Sequence, residues 1–155
     1  MVMECNDYQM GRTGVIQMKV TKYSDLKLGQ FAEVEHVITD EDIQTFGKLS
    51  GDYNPLHFDE EWAKTTMFGS RIAHGLLTAS FISTAIGMHL PGAGTIYIGQ
   101  SMRFLGPARV GDKITARVEI VKLDDEKERA TLKTTCTNQK GKLILDGEAQ
   151  VTLMR

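Results

Sequence analysis

A long stretch without a charged residue, from Gly75 to Met88, constrains the fold of this 155-residue chain most strongly. Its apolar residues cover most of the circumference of a helix: Leu76, Leu77, Phe81, Ile82, Ala85 and Ile86. A helix that is apolar nearly all round is a buried helix, so the rest of the chain must provide a surface that surrounds it. The predicted helix stops at Pro91, which is followed by two nearby glycines.

Most of that surface is predicted to be β-sheet. Alternating apolar and polar residues predict one strand before the buried helix and four in succession after it, at 31–38, 95–104, 113–120, 129–136 and 142–153. In the second of these strands the residues expected on one half-buried face are Ile96, Ile98, Gln100, Met102 and Phe104. The last four strands are joined by turns too short for crossover helices, so the sheet is antiparallel. The fold class is therefore α+β, a single domain in which a curved antiparallel sheet wraps around one long central helix, about residues 75–88.

Short helices are predicted before the buried one. Thr39, with acidic residues after it, predicts the start of a helix that ends at Gly51, and Asp59 caps a second helix over 60–64. Residues 1–20 are polar and aperiodic, which indicates an N-terminal arm or an extra edge strand around 15–22. The domain itself is expected to span 21–155.

Composition excludes several classes of protein. The formal net charge is −2 with acids and bases evenly spread, so no broad basic face for nucleic acid is expected. The longest uncharged stretch is shorter than the roughly 20 residues that span a bilayer, so no membrane segment is expected. Cys5 and Cys136 lie far apart without the spacing of metal ligands, which indicates a reduced, cytoplasmic chain with no metal and Cys136 as a small buried residue.

The residues most suited to chemistry lie between Ser50 and His57. The Asn54–Pro55 pair predicts a tight turn, which lets the Asp52 carboxylate and the His57 imidazole face one small volume, as general acid/base catalysis requires. His74 and Gly75 then begin the buried helix, whose first amides have no partner within the helix and can bind developing negative charge. The alternative is structural, with Asp52 bracing the turn and His57 a polar residue at a helix entrance.

Three segments together resemble a known family. The segment 50–57, with 73–75 and 97–100, is similar to the (R)-specific enoyl-CoA hydratases of the MaoC-like group, which have the hot-dog fold. The resemblance covers about residues 25–154. It implies a homodimer, or a dimer of dimers, in which two sheets join edge to edge. It also implies an acyl-CoA thioester as substrate, no cofactor beyond the CoA of that substrate, and no nucleic-acid or membrane partner.

The resemblance assigns roles to individual residues. It makes Asp52 and His57 catalytic and assigns the Gly75 backbone amide to binding the thioester oxygen. It assigns Ser83, in the middle of the central helix, to orienting the Asp52 carboxylate, and Asn54 to supporting the catalytic turn. The expected chemistry is that Asp52 draws a proton from water as oxygen attacks C3 while His57 helps to protonate C2. Without the resemblance, Ser83 is equally explained as a helix serine bonded to a carbonyl one turn back.

The expected reaction is the reversible, (R)-specific hydration of trans-2-enoyl-CoA, with a short chain such as crotonyl-CoA. One alternative is a 3-hydroxyacyl-carrier-protein dehydratase, which runs the same chemistry backwards. A hot-dog acyl-CoA thioesterase would need an acidic residue on the central helix, and residues 75–88 contain none. A non-catalytic acyl-CoA-binding module is the third alternative. Candidates for contacting the CoA phosphates are Arg71, Arg103 and Lys113.

Overall fold

A computed structural model describes residues 20–154 of the chain. After a 3₁₀ turn at Tyr23–Asp25, the helices are α1 (Asp40–Ser50), α2 (Pro55–Phe58), α3 (Glu60–Lys64) and α4 (Gly75–Thr84), which continues as a π-helical turn at Ala85–His89. The strands are β1 (Phe31–Val37), β2 (Thr95–Phe104), β3 (Lys113–Asp124), β4 (Arg129–Thr137) and β5 (Leu143–Leu153).

The five described strands form one antiparallel sheet in the order β1-β3-β4-β5-β2. The sheet and α4 share a single apolar core, which includes Val118, Leu132 and Val151 from the strands and Leu77 and Ile82 from the helix. Strands β3 and β4 alternate between buried residues and half-buried or exposed ones over most of their length, and β5 does so from Glu148 onwards. The predicted α+β architecture, a curved antiparallel sheet around a central helix, is confirmed.

The face predicted for β2 is wrong in its first half. The register of β2 against β5 shifts between Tyr97 and Gly99, so Ile98 is the extra residue of a β-bulge. A bulge reverses which side chains point to a given face. Ile96 and Ile98 are therefore 48% and 43% exposed, and only after the bulge do Gln100 and Met102 turn towards the helix side.

The central helix also differs from the prediction. It is α-helical only to Thr84, after which the Leu90 N–H donates to the Ala85 carbonyl five residues earlier, at 2.9 Å. The π-helical turn ends just before Pro91, which cannot continue a helix. Leu76 is 59% exposed, because it lies where the helix begins at an open cavity instead of under the sheet.

Two further predictions have different outcomes. The N-terminal arm and most of the possible strand at 15–22 lie outside the described residues, and Val20, Thr21 and Lys22 are not in a strand. Cys136 is fully buried in β4, as predicted, and burial raises the pKa of its thiol to about 12. Within residues 20–154 no helix is both long and apolar enough to cross a membrane.

Candidate active site

The turn between α1 and α2 fixes the position of Asp52. Helix α1 ends at Gly51, whose φ of +78° is a left-handed conformation that glycine adopts without strain. The carboxylate of the next residue, Asp52, is held by the backbone, because its Oδ1 accepts a hydrogen bond from the Asn54 N–H at 3.1 Å. The Asn54 side chain in turn accepts from the Leu56 N–H at 3.0 Å and so caps α2, while Pro55 occupies the first helical position.

His57 lies on α2 and is only 8% exposed. Its Nδ1 is 2.9 Å from the Ile72 carbonyl oxygen. Because a carbonyl oxygen only accepts, Nδ1 carries a proton, and in the neutral ring the lone pair is on Nε2. Burial lowers the pKa of His57 below its ordinary 6.5, and a positive charge on His74 lowers it further, although the Ile72 carbonyl and Asp52 act to raise it. The ring is therefore neutral at pH 7, with a free lone pair on Nε2.

His74 connects this turn to the start of α4. Its Nε2 donates to the Asp52 backbone carbonyl at 3.0 Å, and its ring stacks on His57 with centroids 3.8 Å apart. In the sequence, His74 is recognisable only as the residue before the helix and as part of the Ala73–His74–Gly75 segment of the resemblance. Nothing in its spacing predicts that its ring packs against His57.

The start of α4 has no side-chain cap. His74 is the N-cap residue and makes no capping hydrogen bond, so no side chain among residues 20–154 satisfies the amide of Gly75. A methyl group at Gly75 would lie 2.8 Å from the ring of Phe104, so glycine lets strand β2 approach the helix start closely. An unpaired amide at the positive end of a helix is suited to bind a developing oxyanion.

One cavity of about 490 Å³ contains all these groups. Asp52, His57 and Gly75 line it together, as the sequence predicted. Most of the remaining lining is apolar and includes Phe46, Met67, Phe68, Ile72, Leu76, Phe104, Leu105, Pro107 and Ile144. The cavity therefore offers an apolar binding surface around a carboxylate, a neutral imidazole and an unpaired helix amide.

The two supporting residues have different outcomes. Asn54 contributes to the turn through its backbone amide, which binds Asp52, and through its side chain, which caps α2. Ser83 is exposed, and within residues 20–154 it makes no hydrogen bond to Asp52. It lies eight residues beyond Gly75, or about 12 Å along a helix that rises 1.5 Å per residue. The structure of a single chain therefore does not bring Ser83 to the carboxylate.

The same histidines and carboxylate also meet the loose spacing of a metal site. Asp52, His57 and His74 each have one potential ligand atom within 4.8 Å of the others. His57 Nδ1 and His74 Nε2 both donate to backbone carbonyls. Each ring keeps its other nitrogen, as a metal-ligating histidine also would, so these hydrogen bonds fit both an acid/base site and a metal centre. The expectation of no metal stays a prediction.

The cations considered for CoA binding are engaged in ion pairs. Arg71 contacts Asp40 at 2.9 Å, Lys113 contacts Glu35 at 3.0 Å, and Arg103 lies 3.5 Å from Asp146. None of the three lines the cavity. Their role in CoA binding stays a prediction.

Known proteins resemble this chain in sequence and in fold. Residues 25–141 match the family model described as a MaoC like domain. The chain is 47% identical over 129 residues to an (R)-specific enoyl-CoA hydratase of Rhodospirillum rubrum, covering 83% of this chain and 89% of the relative. It is 38% identical to a mitochondrial 3-hydroxyacyl-acyl-carrier-protein dehydratase of Solanum lycopersicum, over 83% of this chain and 78% of that one. The unliganded R-hydratase of Pseudomonas aeruginosa superposes with a TM-score of 0.81 at 42% identity, covering 86% of each chain. The chain therefore belongs to the MaoC-like family and has the hot-dog fold of these hydratases.

Proposed function

We propose that this protein is a hydro-lyase that adds water to trans-2-enoyl-CoA to give (R)-3-hydroxyacyl-CoA, and that catalyses the reverse dehydration. The observation that carries the proposal is the convergence of Asp52, His57 and the uncapped Gly75 amide on one largely apolar cavity. The reaction needs a base for water, a proton for C2 and a donor for the thioester oxygen. The (R)-specific hydratase among the relatives supports the same stereochemistry.

The hydrogen bonds of His57 favour a particular route for the proton. Nε2 of the neutral ring accepts a proton from water as the water oxygen bonds to C3, and the C2–C3 π electrons move towards the thioester oxygen. The resulting enolate takes the proton back from Nε2 at C2, on the same face, which restores the neutral imidazole. The Asp52 carboxylate holds the water and stabilises the transient imidazolium, while the Gly75 amide binds the enolate oxygen. His57 is thus the base in hydration, in place of the Asp52 expected from the sequence.

The direct test is hydration of crotonyl-CoA, followed by the loss of absorbance of the conjugated thioester and by chiral analysis of the product. Rapid formation of (R)-3-hydroxybutyryl-CoA supports the proposal. Formation of the (S) product, or release of free CoA from saturated thioesters without hydration, would overturn it. The second outcome would favour the thioesterase alternative, and binding without either reaction would favour the acyl-CoA-binding module.

A dehydratase acting on acyl carrier protein is the second candidate, since the Solanum lycopersicum relative carries that name. The two functions share their chemistry and differ in the carrier. Comparing kcat/KM for crotonyl-CoA with that for crotonyl-acyl-carrier-protein separates them. A preference for CoA supports the first function, and a preference for the carrier protein supports the second.

We also propose a preference for short acyl chains. The proposal is supported by the bulky side chains that line the cavity, among them Phe46, Phe104 and Ile144. The expected result is that kcat/KM falls from the four-carbon to the eight-carbon and twelve-carbon enoyl-CoA. A rise along this series would contradict the preference.

A homodimer or dimer of dimers is proposed through strand β2. This strand is at one edge of the sheet, where its backbone groups can pair with another strand. Its first half presents Ile96, Tyr97 and Ile98 to solvent in the single chain, at 38–48% exposure. Light scattering should give a multiple of the 17.2 kDa chain mass, and Ile98→Lys should reduce it. A monomeric wild-type chain would refute the assembly.

The cytoplasmic location and the absence of a cofactor stay predictions from the sequence.

A further inference from the structure

We propose that His74 is a positioning residue for the proposed hydration, holding both His57 and the Asp52 turn against the start of α4. The inference rests on the proposed function for its kinetic consequences, but its geometry does not. His74 is 2% exposed and comes immediately before Gly75, the residue whose amide is left open. It therefore joins the acid/base pair to the oxyanion site.

The first contact is with the backbone of Asp52. The Nε2–H of His74 donates to the Asp52 carbonyl at 3.0 Å, across 22 residues of sequence. The Asp52 carboxylate oxygen Oδ2 is farther from the same nitrogen, at 4.0 Å. His74 thus fixes the chain at position 52 while the carboxylate stays 51% exposed. A direct ion pair would have removed that carboxylate from the reaction.

The second contact is with the ring of His57. The two imidazoles stack with centroids 3.8 Å apart and planes inclined by 30°. Phe46 and Phe58 hold the His74 ring from α1 and α2, with centroid distances of 4.9 and 5.7 Å. His57 therefore has its plane fixed by His74 and its tautomer fixed by the Ile72 carbonyl, so its Nε2 lone pair has one orientation.

His74 is not itself the reacting base. Its Nε2 is the donor to a backbone carbonyl and has no lone pair to accept a proton from water. Its other ring nitrogen, Nδ1, is buried without a partner among the described residues. With that nitrogen buried, His74 acts on the site through its donor N–H and through its ring face.

The test compares His74→Gln and His74→Leu with a matched control, His36→Gln. His36 also donates to an aspartate, Asp42, and packs on a phenylalanine, Phe81, but it does not line the cavity. Glutamine keeps an N–H donor near the position of Nε2, whereas leucine has none. We expect kcat to fall about 100-fold in His74→Leu, as for a small displacement of a catalytic group. It should fall less than about tenfold in His74→Gln, and His36→Gln should keep the wild-type kcat.

The pH profile separates positioning from simple packing. The groups that face His57 are Asp52 from the turn, His74 from α4 and Arg71, whose guanidinium contacts the His57 carbonyl at 3.4 Å. Burial is the main cause that lowers the pKa of His57, and the electrostatic effect of His74 lowers it further. Both His74 variants remove that second contribution, so the acid limb of kcat/KM should move to higher pH. A packing role would reduce the folded fraction and leave that limb in place.

Nitrogen-15 NMR of the histidine side chains gives an outcome that does not depend on activity. In the wild-type protein His57 should show a fixed Nδ1–H tautomer, because its Nδ1–H donates to the Ile72 carbonyl. In His74→Leu the ring plane is no longer held, the ring can turn away from that carbonyl, and His57 should show mixed tautomers and titrate at higher pH. If the wild-type chain hydrates no enoyl-CoA but these NMR changes occur, the proposed function fails while the positioning role stands. If folded His74→Leu keeps both the wild-type kcat and the wild-type His57 titration, the positioning role is overturned.

Discussion

Helices α1 and α4 each begin beside a histidine and an aspartate, but the two sites use these residues in opposite ways. At the start of α1, Thr39 and Asp42 form a capping box, in which the Asp42 N–H donates to Thr39 Oγ1 at 3.1 Å and the Thr39 N–H donates to Asp42 Oδ2 at 2.7 Å. His36 donates to the same carboxylate oxygen at 2.9 Å. The polar groups of this site therefore bind each other and stabilise the helix.

At the start of α4 a histidine and an aspartate are also adjacent, but they do not satisfy the helix. His74 binds the Asp52 backbone, the Asp52 carboxylate stays half-exposed, and the Gly75 amide has no cap. The free energy that a cap would contribute, about 1 kcal/mol, is absent here. A histidine and an aspartate are thus structural where they bond to each other, and available for chemistry where they are kept apart around a cavity.

The largest effect should come from matched aspartate-to-asparagine changes at the two helix starts. Asp52→Asn removes the charge that stabilises the imidazolium, and we expect kcat to fall about 100- to 10,000-fold while the protein stays folded. Asp42→Asn should leave kcat unchanged and lower the free energy of unfolding by about 1 kcal/mol. Steady-state hydration of crotonyl-CoA and urea unfolding measure the two results. If Asp42→Asn were the more damaging change to kcat, the functional distinction between the helix starts would be lost.

The next largest effect should come from removing the Gly75 amide. Proline is tolerated at the first position of a helix, and His74 has φ −58° and ψ 135°, which suit a residue before proline. Gly75→Pro therefore deletes the N–H donor with little effect on the helix itself. Gly75→Ala is the control, because it keeps the N–H and adds the same Cβ contact with Phe104. Relative to Gly75→Ala, we expect kcat in Gly75→Pro to be about 100- to 1,000-fold lower.

Equal rates in the two Gly75 variants would show that the α4 amide does not bind the oxyanion. The comparison between helix starts would then depend on Asp52 and His57 alone. Crystal structures or circular dichroism of both variants would establish that α4 still begins at residue 75. A shared loss of activity in both would be attributed to displacement of Phe104.

The sequence predicted the elements of this fold better than the contacts of the site. Periodicity identified the sheet and the buried helix because both depend on which residues are apolar. It failed at Ile98, because a bulge changes the face of a strand without changing its composition. It also failed for the pairing of His74 with His57, since that contact joins two segments that only the folded chain brings together. Ser83 is assigned by resemblance, and among residues 20–154 no hydrogen bond joins it to Asp52.

A smaller effect is expected in the dependence of activity on pH. His57 must be neutral to accept a proton, and its pKa lies below 6.5 because of burial and the nearby His74. We therefore expect the acid limb of kcat/KM to be centred below pH 6.5, and kcat/KM to fall about tenfold per pH unit below the pKa of His57. An acid limb of the kcat/KM profile centred above pH 6.5 would contradict the role of His57 as a buried, neutral base.

Folding must be followed over the same pH range. A depressed pKa of His57 means that the unfolded chain binds more protons below pH 6.5, so stability also declines as the pH falls towards the folded value.

At α1, burial opposes ionisation of Asp42, but hydrogen bonds from His36 and Thr39 outweigh it and hold the pKa of Asp42 below 3.8. The stability from Asp42 is thus complete above pH 3.8 and is lost only as the pH falls through its folded pKa. Circular dichroism at each pH separates these losses of fold from the titration of the active site.

The smallest effect should come from Thr39→Ala, which removes only the cap of α1. Thr39 Oγ1 accepts from the Asp42 N–H and donates to Asp42 Oδ2 at 2.8 Å. Its loss should lower the free energy of unfolding by about 1 kcal/mol, measured in urea, with kcat unchanged. Thr39→Ser keeps the capping oxygen and should retain most of the stability. A tenfold loss of kcat in Thr39→Ala at unchanged stability would mean that the start of α1 is coupled to the cavity. The hydrogen-bonded polar groups at the start of α1 would then have a functional role as well as a structural one.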